Sequence, residues 1–151
     1  MTLLKIGMAA TLLCATIGVA DPPAAIPLVT MKLVKVSAAD AAGPVFTGKT
    51  AVTDKGSDGV TIDVLLHRSK DGKVEMGLYA AGPSDVDIAS YEDDEFMYFI
   101  AGGVTLTSAD GTVLPVQAGE GVAIPKGWKG RWSTQGYKKY NVIYTGGAKP
   151  M

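Results

Sequence analysis

Residues Glu95–Gly102 read EFMYFIAG, and residues Gly119–Gly127 read GEGVAIPKG. The first segment is a Glu, six residues and a Gly. The second is a Gly, five residues, a Pro, one residue and a Gly. Sixteen residues separate Gly102 from Gly119. Gly102 and Gly103 permit a sharp turn out of a buried strand, where a Cβ would clash. Pro125 lacks the N–H that an interior strand needs, so it marks the end of a strand at Val122–Ile124. Gly127 then admits a positive φ before the chain re-enters a strand.

The surrounding chain reads as short strands from Leu28 onward, with no convincing helix. Val60–Leu66 (VTIDVLL) and Val74–Ala80 (VEMGLYA) begin with period-2 alternation. Asp71-Gly72 between them is a hairpin signal, and Asp110-Gly111 is a second, joining Val104–Thr107 to Val113–Val116. Phe96–Ile100, Val122–Ile124, Lys129–Ser133 and Lys138–Tyr144 complete the strand expectation. The segment 43–59 carries the weakest pattern and is either a loop over one rim or unassigned. No solenoid period is present. Strands this short and this regularly punctuated predict an all-β sandwich or barrel.

Composition agrees. The chain has 151 residues, enough for one core but not two. Its 19 glycines suit many tight turns. A formal charge of −1 supplies no basic field for a phosphate backbone, so nucleic acid is not an expected partner. The one His excludes any site built on two or more histidines.

Residues 1–20 read as a secretory signal. Lys5 is their only charge, Ile6–Val19 is an uncharged and largely apolar run, and Gly18-Val19-Ala20 is a small-residue cleavage site. An uncleaved anchor is the alternative, though the run is short for a bilayer span. Leu13 is too bulky to precede a lipidated Cys14. Residues 21–27 form a Pro/Ala-rich leader and 28–151 the folded domain. Cleavage removes the only cysteine, so no thiol nucleophile or thiolate metal site remains. An exported protein of the bacterial periplasm is expected, with no stable membrane insertion once the signal is removed.

The two spaced motifs resemble the signature of cupins, whose fold is a small double-sheet jelly-roll barrel. EFMYFIAGGVTLTSADG followed by AGEGVAIPKGWKGRW is similar to the (S)-ureidoglycine aminohydrolase type, and ethanolamine-utilisation cupins are similar as well. The likeness covers about residues 87–144. It implies a barrel interior, an inward-facing Glu95 and frequent homodimers. In metal-binding cupins it also implies a three-His, one-Glu metal site. Here Tyr91 or Ser90 takes the place of the second His, Ala89 or Ile88 that of the first, and Gly130 that of the third. A catalytic divalent ion needs about three protein ligands, and one carboxylate falls short. No cofactor is therefore expected. Capture of Mn, Fe, Ni or Zn by Glu95 with His67, which ends the Val60–Leu66 strand, is the open alternative.

Glu95 is the candidate catalytic residue. It reads either as an acid of raised pKa suited to proton transfer or as a structural hydrogen-bonding group. Alternation sets Met97 and Phe99 on its face, and Trp128 and Trp132 on the face of Gly130. An indole there can fill or line the space that Gly130 leaves. Tyr91, Glu95, Met97, Phe99, Trp128, Gly130 and Trp132 are thus the candidate ligand-binding set, with barrel filling as the alternative. The acidic run Glu92–Asp94 reads as a solvated loop, or else as a divalent-ion trap. Lys126, Lys129 and Arg131 form either a cationic rim or a solvated turn. The expected function is binding of a small polar or anionic molecule without catalysis. The alternative is an aminohydrolase-like release of ammonia from a ureido compound. A structural module that pairs through exposed strand edges is a further one.

Overall fold

The computed structural model describes residues 33–56 and 59–146. Residues 1–27, where a signal sequence and leader are expected, lie outside these residues. Nine strands occur among the described residues: β1 (Ala51–Gly56), β2 (Gly59–Arg68), β3 (Val74–Ala81), β4 (Ser84–Ile88), β5 (Asp94–Ser108), β6 (Val113–Gln117), β7 (Gly121–Ile124), β8 (Gly130–Thr134) and β9 (Tyr137–Tyr144). All pairings are antiparallel, in the order β1-β2-β3-β9-β5-β8-β4, with β6 and β7 also on β5. The all-β expectation holds, and the sheet curls into a half-barrel.

β5 organises the curl. Its first half pairs with β7 and β9, and its second half with β6 and β8. The sequence predicts two strands here, Phe96–Ile100 and Val104–Thr107. The structure corrects this to one strand bent at Gly102–Gly103. Gly102 has φ +66°, and a Cβ there would lie 2.0 Å from the Gly136 carbonyl oxygen. The glycines therefore bend the strand rather than end it. Gly127 takes a positive φ after Pro125, as the motif requires.

The loop alternative for segment 43–59 fails, and the expectation of no helix is corrected. The segment holds a 3-10 turn (Pro44–Thr47) and β1, which forms a hairpin with β2. A helix is also present, α1 (Ala38–Ala42), held by a capping box in which Ser37 and Asp40 bond each other's backbone N–H. Five residues are too few to show a helical apolar period. Both hairpin turns form where expected, with Gly72 and Gly111 at positive φ.

The core has two parts. On the convex side, Val64 and Leu78 are covered by Ala41 and Phe46 from the 38–47 segment. On the concave side, Met97, Phe99, Val104, Leu106, Val116, Ile124, Trp132 and Tyr137 pack together.

Candidate functional site

Glu95, Met97 and Phe99 all point from β5 into the concave core and are buried, as alternation predicts. Trp132 from β8 is buried with them, and Tyr91 and Trp128 pack against the cluster. Tyr91 lies on the segment between β4 and β5. Its backbone is tied to the loop before β8, accepting from Gly127 N–H and donating to the Trp128 carbonyl. Its ring stacks on Trp132 at 6.5 Å and meets Trp128 edge-on at 6.3 Å. A Cβ on Gly130 would fall 2.6 Å from Trp128 Cζ2, so this indole fills the space beside the glycine. Trp128 Nε1 donates to Ser108 Oγ.

Both oxygens of Glu95 are engaged. The Tyr91 hydroxyl donates to Oε2 at 2.5 Å, and the Lys139 ammonium donates to Oε1 at 2.6 Å. Lys139, from β9, is only 4% exposed. Its Nζ lies 5.3 Å from the Tyr79 ring centre, 5.6 Å from that of Trp132 and 5.8 Å from that of Tyr137. The Met97 sulfur is 3.5 Å away. Burial lowers the Lys139 pKa, and the Glu95 charge opposes that shift. Burial and the neighbouring carboxylate raise the Tyr91 pKa, so its phenol stays a donor. Burial, then the neighbouring Tyr79 and the Glu95 charge, raise Tyr137.

Lys139 is the residue that sequence reading misses. It sits in Tyr137–Tyr144 (YKKYNVIY), where apolar residues occupy both alternating sets. Asn141, two positions on, shares its face, and its Oδ1 is buried without a hydrogen-bond partner among the described residues. Register places Asn141 between Gly77 of β3 and Met97 of β5.

His67 does not join Glu95, so the pairing named for a metal does not form. The β2 register shifts between Leu65 and His67, so His67 pairs with Met76 and is exposed. Arg68 next to it pairs with Glu75 and bonds it at 2.9 Å. Among the described residues, no group of three or more His, Cys, Asp or Glu could hold a metal ion. Ala89 and Ser90 are exposed, and Gly130 has no side chain. The donor set thus does not fit the three-His, one-Glu site.

The neighbouring charges are mostly committed. In the acidic run, Asp94 accepts from Lys126 N–H at 2.9 Å and so fixes the start of the 126–129 turn. In the basic rim, Arg131 forms a two-point bridge to Asp85, at 2.7 and 2.5 Å.

Residues 68–140 match the family described as EutQ-like cupin domain. That stretch of the chain is similar to a cupin domain and spans just under half of its length. EutQ of Clostridium difficile is similar at 24% identity and a TM-score of 0.51, covering 74% of this chain and 80% of that one. Ectoine synthase from P. lautus is similar at 16% identity and a TM-score of 0.56, covering 76% and 78%. A Pseudomonas syringae protein of unknown function has 18% identity and a TM-score of 0.54, covering 61% and 42%. At these identities the likenesses establish the fold alone. No curated protein matches the chain. The cupin fold assembles the site by bringing β5, β8, β9 and the 89–93 segment to one face.

Proposed function

We propose that this cupin domain binds a small polar or anionic molecule on its concave face without metal chemistry. The observation that carries the reading is the polar row set into that face. Lys139 and Glu95 are buried there beside Asn141, whose Oδ1 has no hydrogen-bond partner among the described residues. A buried acceptor without a donor costs about 1–3 kcal/mol, and a ligand N–H or O–H offsets that cost. The Glu95 oxygens already hold internal donors, so the aminohydrolase reading finds no ligand set here for the metal its resemblance implies.

Export to the periplasm follows from the reading of residues 1–20, and a homodimer from the cupin resemblance. Both belong to the proposal. Cell fractionation tests the first, and light scattering on a sizing column tests the second.

The ligand reading is tested by melting the protein against a panel of small hydroxy acids, amino acids and amides. A ligand that binds the folded state raises Tm by mass action. The expected result is a rise with at least one polar compound, lost in Asn141→Leu. A flat response across the panel would count against the proposal.

A further inference from the structure

The residues around Glu95 disagree with a divalent ion in a specific way. A divalent ion needs several hard or borderline donors around it. An ammonium group needs less: one carboxylate and the negative faces of aromatic rings suffice. The concave face offers the second set. Glu95 supplies Oε1 at 2.6 Å, and the rings of Tyr79, Trp132 and Tyr137 lie 5.3 to 5.8 Å from Nζ.

The walls are fixed independently of the cation. Tyr137 packs edge-on against Phe99 at 5.3 Å, lies tilted against Trp132 at 5.8 Å, and stacks with Tyr79 at 6.2 Å. The Tyr91 hydroxyl holds the second oxygen of Glu95, which keeps Oε1 turned to Nζ. Register then sets Lys139 directly between Tyr79 of β3 and Phe99 of β5. The lysine enters a cage that its neighbours define.

We infer that this cage is a primary-ammonium site that the protein fills with its own Lys139, a built-in cation standing where the fold resemblance leads one to expect a metal. Two properties follow. The wild-type fold takes no stabilisation from divalent ions. When the lysine side chain is cut back to Cβ, the emptied cage takes up a small primary ammonium in preference to a metal ion.

The test is chemical rescue of Lys139→Ala in the full chain, read by thermal melting. The probe is n-propylammonium, which replaces the atoms the substitution removes. Loss of the buried cation lowers Tm by more than about 10 °C. At about 100 mM, n-propylammonium restores at least about 5 °C relative to sodium chloride of equal ionic strength. Manganese and zinc chlorides restore none of it, and wild-type Tm is the same with either metal or with a chelator. Rescue disappears in the Lys139→Ala/Glu95→Gln double variant. If Lys139→Ala does not fold alone, refolding yield with and without n-propylammonium gives the same readout. Rescue by the metals as effective as by the ammonium, no rescue by any cation, or a Glu95-dependent rise of wild-type Tm with metal would each overturn the assignment.

Discussion

Lys138 and Lys139 are adjacent in sequence and face opposite sides of β9. Lys138 lies on the convex side, where its Nζ donates to the Ala42 carbonyl and stands 5.6 Å from the Phe46 ring centre. Lys139 lies on the concave side, buried against Glu95 among aromatic rings. The convex core is otherwise apolar, built from Val64, Leu78, Ala41 and Phe46. Burial on that side contributes through area removed from water, whatever the partner's charge. Burial on the concave side depends on the two charges being kept or removed together. A buried ion pair repays its desolvation through geometry, and removing one partner strands the other.

The largest effect expected from this contrast belongs to the concave pair. Lys139→Met leaves the Glu95 carboxylate buried and unpaired, at a cost of about 3–5 kcal/mol in denaturant unfolding. The double variant Lys139→Met/Glu95→Leu recovers most of that loss, because neither charge then remains inside. A single-variant cost below about 1 kcal/mol would mean the pair is solvated in solution.

On the convex side the next largest effect is additive and indifferent to charge. Phe46 is 6% exposed and covers the sheet. Phe46→Ala costs about 3 kcal/mol by lost transfer energy and cavity formation. The same cost should appear in the Lys139→Met/Glu95→Leu background, since the two clusters are separate. Strong coupling between them in a double-mutant cycle would contradict the two-face description.

Tyr91→Phe sharpens the comparison within the concave face. It removes one donor to a buried carboxylate and leaves the ring stack on Trp132 in place. The expected loss is about 2 kcal/mol, the range for a hydrogen bond to a charged group. A loss as large as that of Lys139→Met would place the carboxylate's main support on the phenol rather than on the ammonium.

The two faces also differ in how legible they were. The spacing of Gly102, Gly119, Pro125 and Gly127 carries the family resemblance, and the resemblance implies the barrel; the three glycines take the positive φ that their turns need. The inward Glu95 follows from the resemblance, and Met97 and Phe99 follow from period 2 relative to it. Lys139 did not follow. In YKKYNVIY the set Tyr137, Lys139, Asn141, Ile143 and the set Lys138, Tyr140, Val142, Tyr144 are similarly polar, so alternation cannot mark the inside. The open alternative of an inward His67 fails for a related reason. The irregularity after Leu65 shifts the parity of β2, and no glycine or proline announces it. The 38–47 cover was missed because its helix is a single turn held by the Ser37–Asp40 capping box.

The smallest effect concerns Asp63, paired in register with Tyr79 on the concave side of β2. Burial first, and then the Glu75 charge, raise its pKa above 3.8, while Lys139 acts in the opposite sense. A carboxyl with a raised folded-state pKa holds its proton more tightly in the native state than in the unfolded chain. Stability from this group is therefore present below the unfolded value and is lost as pH rises through the folded one. At neutral pH the ionised Asp63 is a small net cost, discounted because its side chain reaches solvent. Asp63→Asn should raise Tm slightly at pH 7, and the gain should vanish below about pH 4, where the carboxyl is protonated in both states. In a Lys139→Met background the benefit should grow, since the compensating ammonium is gone. A gain that is independent of pH, or that shrinks when Lys139 is removed, would show that Asp63 lies outside the field of the concave pair.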